Sequence, residues 1–274
     1  MASSVRADRA GPALVRPWPR ALALILATLL LLAGPARSDT VLVAVASNFG
    51  PVLAALAPGF QQATGHTLTA AAGPTARLGQ QVAAGAPFQV LLAADQATPA
   101  RLEADGHAVP GSRFTYATGQ LVLWSTQPGL VDNQGAVLAS GRFQHLALAN
   151  PKLAPYDEAA MAVLRARGLD ASLRPRLVMG ESVAQAYQFV LTGHAELGFV
   201  AGSQLQGAGG PVPGSYWRVP AGLHPPIHQD AVLLKPGAGQ AAALALLAYL
   251  KTPAARALIQ AQGYAAHAAG ARLP

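Results

Sequence analysis

The sequence predicts an α/β fold of two lobes, with mostly parallel sheets and a ligand cleft between the lobes. From Asp39 onward, short runs rich in valine, leucine and alanine alternate with segments of helical period, the pattern of a parallel sheet covered by helices. That alternation breaks into extended pieces around Gly119, starts again at Leu146, and is followed near the end by one more strand and two helices. A chain that leaves one lobe, builds a second and returns gives the expected division: residues 39–118 with 225–274 as the first lobe, and 119–224 as the second. The 274 residues are length enough for two modest domains.

The first 38 residues stand apart. Arg6, Arg9, Arg16 and Arg20 precede the apolar run Ala21–Leu32, and Gly34-Pro35-Ala36-Arg37-Ser38 follows it. A basic start, a short apolar middle and a small-residue end make a secretory signal peptide, and the run is shorter than the ~20 residues a membrane span needs. Cleavage after Ser38 is expected, which places a soluble, unanchored protein in the periplasm. It also removes five of the 19 basic residues and one of the 12 acidic ones, leaving 14 against 11. Such a balance is too weak to argue for nucleic acid or an anionic membrane as partner. There is no cysteine for lipid attachment, and a core of this size dispenses with disulfides.

The opening element is the valine-rich run from Val41, with the character of a strand buried on both faces. It ends in Ser47-Asn48, and Pro51 opens a helical segment through Phe60; serine or asparagine before a helix with proline near its first position is a start signal. His66–Ala72 is extended and ends at Gly73-Pro74-Thr75. Ala76–Ala84 is a helix broken by Gly85-Ala86-Pro87, and Phe88–Leu92 is a buried strand. Pro99–Asp105 is a short helix closed by Gly106. Phe114–Tyr116 and Gln120–Ser125 are extended on either side of Gly119. In the second run, Leu146–Ala149 is a strand, Pro155–Arg167 a helix and Leu177–Met179 a strand. Ser182–Thr192 is a helix ended by Gly193, and Leu197–Ala201 a strand. Gly207–Gly214 is a Gly/Pro loop, Tyr216–Val219 is extended and Gly222–Pro226 is proline-rich. Asp230–Leu234 is the last strand, before helices over Gln240–Leu250 and Pro253–Gln262.

Four of these passages into a helix are alike: Ser47-Asn48, Thr75, Pro155-Tyr156 and Glu181-Ser182-Val183. Two belong to each expected lobe. Converging in a cleft, they supply hydroxyl, amide and backbone N–H donors and the positive ends of helix dipoles, enough to hold a dehydrated oxyanion without lysine or arginine. Taken singly, each is equally a capped helix start.

Several blocks have a familiar form: Val45-Ala-Ser-Asn-Phe49, Gly85-Ala-Pro-Phe88, Leu92-Ala-Ala-Asp95, Ser112-Arg-Phe-Thr-Tyr116, Gln120-Leu-Val-Leu-Trp-Ser125, Asn150-Pro-Lys-Leu-Ala-Pro-Tyr156, Gly180-Glu-Ser-Val183 and Leu197-Gly-Phe-Val200. Together they closely resemble the molybdate-binding component of ABC importers, a type II periplasmic binding protein, from about Thr40 to Gly263. The likeness is to the branch with Ser/Thr-Asn at the first strand end. It implies that Ser47, Asn48 and Thr75 bind the anion from the first lobe, and that Tyr156 and Val183 donate backbone N–H groups from the second. It implies molybdate or tungstate as ligand, a membrane permease as partner, a monomer, no chemical step, no cofactor and no residue ligating a bare metal cation. Another branch adds a tyrosine hydroxyl where this chain has Ala201.

Two departures bear on the site. The family's second junction reads Gly-Ser-Ser/Thr-Gly, and here it is Gly73-Pro-Thr-Ala76; Pro74 has no N–H to donate. Asp157 stands where glycine usually follows Tyr156, placing a carboxylate near the expected anion: facing solvent at the helix start it is harmless or helpful, and facing the cleft it weakens binding. On that reading, Asp157→Gly would bind the anion as well or better.

Two other readings compete with molybdate capture. Sulfate differs from molybdate only in size, so a sulfate-binding protein fits the same donors. A serine hydrolase is suggested by Gly180-Glu-Ser-Val-Ala184, although the final glycine of a nucleophile elbow is missing. The seven histidines show no acid partner at an informative spacing. His224 and His228 are separated by Pro225-Pro226, which forbids a helix presenting both to a metal. Tyr116, Trp124 and Phe199 are read as packing residues.

Mass spectrometry of the exported protein should give a chain beginning near Asp39. Recovery of residues 1–38 in the membrane fraction would show an anchor instead.

Overall fold

A computed structural model describes residues 38–150, 154–207 and 210–265. Of the expected leader, residues 1–37 lie outside the described residues. Among those described, no single helix is long and apolar enough to cross a membrane.

Two five-stranded sheets organise the chain. The first contains β1 (Thr40–Ala46), β2 (Thr67–Gly73), β3 (Val90–Leu92), β4 (Phe114–Gly119) and, from much later in the chain, β12 (Ile227–Leu233), in the order β2-β1-β3-β12-β4. The second contains β5 (Leu121–Ser125), β6 (Leu146–Ala149), β7 (Leu177–Gly180), β8 (Leu197–Ala201) and β11 (Ser215–Arg218), in the order β11-β5-β8-β6-β7. A small antiparallel pair, β9 (Gln206–Gly207) with β10 (Gly210–Pro211), occupies part of the expected Gly/Pro loop.

The expected α/β architecture is present, with more mixed pairing than the sequence suggests. β1 is parallel to β2 and β3, and β6 is parallel to β7 and β8. Within the two five-stranded sheets the antiparallel pairs involve the strands near the crossings between sheets: β12 with β3 and β4, and β5 with β8 and β11. A chain that passes directly from β4 through Gln120 into β5, and returns from β11 into β12, brings the returning strand back in the opposite direction. β12 therefore begins at Ile227, three residues before the expected start, where it pairs with Gly119.

Alternation decides which side chains fill each core. Val41, Val43 and Val45 are wholly buried in the main core of the first sheet, while Ala44 joins a smaller cluster on the other face. Helix α1 (Gly50–Thr64) lays Val52, Leu53, Leu56 and Phe60 against the valines, at helical spacing. Each such fully buried side chain contributes roughly 1.5–3 kcal/mol. The C-terminal helices α8 (Ala241–Leu250) and α9 (Pro253–Ala261) add Leu246, Leu250 and Ile259 to the same core. The second sheet has its own core around Leu146, Leu148, Val163 and Phe199, closed by α5 (Pro155–Ala166). Tyr116, Trp124 and Phe199 are buried packing residues.

The helix starts differ from one another in a way sequence spacing hides. Phe49, rather than Ser47 or Asn48, is the N-cap residue of α1, and no side chain caps that helix. Pro74 occupies the same place before α2 (Thr75–Ala83), again with no side-chain cap. Ser182 does cap α7 (Val183–Leu191), its Oγ accepting from the Gln185 N–H at 3.3 Å. The remaining helices, α3 (Ala97–Ala104), α4 (Val137–Ser140) and α6 (Asp170–Leu173), lie in the connections.

Candidate functional site

Parallel strands expose their unpaired ends together, and here both sheets do so at one place. Ala46 pairs with Gly73 at the ends of β1 and β2, and Val45 with Leu92 at the end of β3. Ala149 pairs with Gly180 at the ends of β6 and β7. The chain leaving those ends lines a small cavity of about 10 Å³, with Ser47, Asn48, Pro74, Thr75 and Ala94 from the first sheet's exits and Ala154, Pro155, Tyr156, Ser182 and Val183 from the second's. All five sequence-expected residues, Ser47, Asn48, Thr75, Tyr156 and Val183, are on its wall. The volume is far below the ~300 Å³ at which pockets for drug-sized ligands begin. A small ion suits it better than a sugar or peptide.

The polar groups of the wall are sorted by what the protein has already engaged. The Ser47 N–H donates to the Gly73 carbonyl at 3.0 Å, leaving the hydroxyl as this residue's contribution. Asn48 is 3% exposed, and its Nδ2 donates to the Tyr264 hydroxyl at 2.8 Å and to Gln229 Oε1 at 3.2 Å. Its carboxamide donor is thus held behind the wall, and the backbone N–H is what it offers. Thr75 Oγ1 accepts the Ala94 N–H at 3.0 Å, so the hydroxyl proton is left to donate. Thr75, Tyr156 and Val183 are the first, second and first residues of α2, α5 and α7. Their N–H groups fall in the turn that lacks intrahelical acceptors and sits at the positive end of the dipole.

Among the described residues, no side chain lining this cavity is charged. Arg77, two residues beyond Thr75, pairs with Glu181 at 3.1 Å, with both side chains at least half exposed. An ion pair so exposed contributes little. The site's polarity is that of neutral donors and helix ends.

Asp157 overturns the expectation attached to it. It is fully buried and does not line the cavity. Its Oδ1 accepts the Ala149 N–H at the end of β6, and Oδ2 has no partner among the described residues. Burial pushes its pKa from the ordinary 3.8 up to about 7, against the pull of the Ala149 N–H. Asp157→Gly would strip a buried N–H of its acceptor, a destabilising change of roughly 1–3 kcal/mol rather than the relief of a repulsion.

The sequence reading missed the groups behind the wall. Gln229 and Asp230 are both buried, the last two of three consecutive polar residues that interrupt β12. That interruption was the available signal. Asp230 is taken up by Arg113 at 2.7 Å and Thr115 at 2.6 Å within the first sheet. Gln229 and Tyr264 reach Asn48. Ser182, the suggested nucleophile, caps α7 through its Oγ.

Comparison with known proteins bears on this cavity. Residues 41–265 match the family described as bacterial extracellular solute-binding protein. The molybdate-binding protein ModA of Azotobacter vinelandii is 52% identical over 234 residues, covering 85% of this chain and 93% of the relative. The molybdate-binding protein ModA of Rhodobacter capsulatus is 49% identical over 253 residues, covering 92% and 97%. The solved structure of the Azotobacter vinelandii periplasmic molybdate-binding protein has a TM-score of 0.80 at 44% identity, covering 82% of this chain and 98% of that one.

The Asp157 carboxyl gives a pH dependence of known sign. A folded-state pKa raised to about 7 means the folded chain keeps a proton that the unfolded chain loses above about 4. Stability from this group is complete at low pH and falls by up to roughly 1.4 kcal/mol per pH unit across that window. Asp157→Asn keeps an acceptor for Ala149 and does not titrate. Urea unfolding from pH 4 to 8 should show the wild type losing stability relative to the variant as pH rises. Parallel curves would place the carboxyl in contact with water.

Proposed function

Because this chain belongs to the bacterial extracellular solute-binding protein family, we propose that it captures molybdate, and tungstate with it, and delivers the anion to the permease of an ABC importer. It acts in the periplasm as a monomer, with residues 39–118 and 225–274 as one lobe and 119–224 as the other. No cofactor takes part. The family binds solutes and does not turn them over. The observation that carries the reading is the convergence of Ser47, Asn48, Thr75, Tyr156 and Val183 on one cavity whose described lining carries no charged side chain.

Such a wall favours an oxyanion carrying no proton. The polar groups this reading uses are donors or hydroxyls able to donate: the hydroxyls of Ser47, Thr75 and Ser182 and the N–H groups of three helix starts and of Asn48. A phosphate that retains a proton brings a donor of its own, which finds no acceptor and loses affinity accordingly. Sulfate meets no such obstacle and is discriminated by size alone. Molybdate and tungstate share charge and shape, so both are accepted.

Calorimetric titration with molybdate, tungstate, sulfate and phosphate should give tight binding of the first two. Preference for sulfate would reassign the ligand, and absence of binding to all four would end the reading.

Backbone recognition is tested at Val183. Ser182 before it has φ −147° and ψ 160°, the extended conformation that a following proline requires. Val183→Pro therefore fits the first helical position while removing the N–H. Molybdate affinity should fall by at least ~1.5 kcal/mol relative to Val183→Ala, which keeps the N–H. Equal affinities would make this helix start a cap and nothing more.

The hydroxyls should separate binding from stability. Ser47→Ala and Thr75→Ala should each weaken molybdate binding by roughly 1.5–3 kcal/mol. Ser47 caps nothing, so its loss should change ligand-free stability by less than ~0.5 kcal/mol. Thr75→Ala also orphans the Ala94 N–H and should cost ~1–3 kcal/mol by thermal unfolding. Undiminished affinity in both variants would move the site elsewhere.

A further inference from the structure

We infer that Gln229 is a positioning residue for oxyanion binding, tying the Asn48 side of the cavity to the Tyr156 side through one buried carboxamide. The inference rests on the oxyanion reading above. Gln229 lies on β12 of the first sheet and is wholly buried. Its Nε2 donates to the Tyr156 hydroxyl at 2.9 Å, and its Oε1 accepts from Asn48 Nδ2 at 3.2 Å. The Tyr116 hydroxyl lies 3.1 Å from the same Oε1. Asn48 and Tyr156 belong to opposite walls, so a single side chain spans the strand exits of both sheets.

The chemistry of this position is narrow. The head group must donate to a phenol and accept from an amide about two bonds apart, which a carboxamide does and an apolar side chain of the same length does not. The strand is shaped to place it: the β12–β4 register shifts between Gln229 and Asp230, and such a bulge re-aims a side chain. That shift accompanies two consecutive buried polar residues, Asp230 facing Arg113 and Gln229 facing the cavity's back wall.

Tyr156 is the element through which Gln229 acts. Its backbone N–H faces the cavity from the first turn of α5, while its phenol, 1% exposed, crosses to the first sheet. Room for that phenol is made at the chain crossing. A Cβ on Gly119 would collide with the Tyr156 hydroxyl and lie 3.0 Å from Gln229 Nε2. This glycine is therefore required by the same network, on an observation independent of the hydrogen bonds. With both ends of Tyr156 held, its N–H keeps its direction toward the anion. Asn48 is held in the same way, between Gln229 and Tyr264.

The test is a double-mutant cycle on molybdate binding with Gln229→Met and Tyr156→Phe, the second keeping the backbone N–H and removing only the hydroxyl. Each should weaken affinity about tenfold, mainly through faster release measured by stopped flow, and the double variant should lose little more than either single one. Gly119→Ala should give a loss of the same kind by displacing the phenol. Leu246→Ala, in the distant core under α8, serves as the stability control: it should lower thermal stability and leave affinity unchanged. Additive losses in the cycle, or folded variants binding as the wild type does, would overturn the inference. So would losses matched by the Leu246→Ala control, since they would then follow stability alone. Should Gln229→Met fail to fold, Tyr156→Phe and Gly119→Ala decide the question by the same criteria. Wild-type protein titrated alongside separates the two readings: if it binds no oxyanion, the function fails and this inference with it.

Discussion

The hydrogen bond from the Ser47 N–H to the Gly73 carbonyl adds one rung beyond the paired ends of β1 and β2, and the cavity is laid out around it. Because the two strands are parallel and in register to their last residues, Ser47 and Thr75 leave the sheet side by side. The Ala94 N–H then reaches Thr75 Oγ1 from the end of β3. Three strand exits are stitched together by bonds that use up acceptors and turn donors inward. The second sheet repeats the device with the Asn150 N–H donating to the Gly180 carbonyl at 2.8 Å, before the chain enters α5 and α7.

This construction explains why hydroxyls and backbone amides suffice for the proposed anion. A cation at the wall would attract any anion and would have to be desolvated itself, at considerable cost. Neutral donors fixed by strand ends are prepaid by folding, and three helix starts add partial positive charge where the ligand would sit. Two charged residues close in sequence to the wall follow the same economy. Arg77 is paired to Glu181 at the surface, and Asp157 is withdrawn beneath the wall with its pKa raised to about 7.

Coupling between the sheets is the second requirement. The chain crosses through Gln120 and again between β11 and β12, so covalent connection alone leaves the two walls free to separate. The buried hydroxyl and carboxamide groups of Tyr156, Gln229, Asn48 and Tyr264 lie between them, with Tyr116 and Ser203 bonded at the margins. Buried polar groups of this kind are costly unless each finds its partner, and so they define one arrangement of the walls more sharply than apolar packing would.

The sequence by itself determined the alternation of strands and helices, the return of the chain to its first sheet, and the five residues now found on one cavity wall. Those features are local: a valine run, a Ser-Asn or Pro-Tyr junction and a glycine stop each carry their physical reason within a few residues. Only the tertiary structure decided which polar groups remain available there. Asn48 looked like a side-chain ligand, and its carboxamide is taken by residues far along the chain, Gln229 and Tyr264. Ser47 looked like a helix cap and caps nothing, because the helix begins three residues later, at Gly50 behind Phe49. Asp157 looked like a neighbour of the anion and instead holds the Ala149 N–H. Spacing tells which residues reach a junction, but the direction of a side chain is set by partners brought close by the sheet order, and those partners lie outside any local window of sequence.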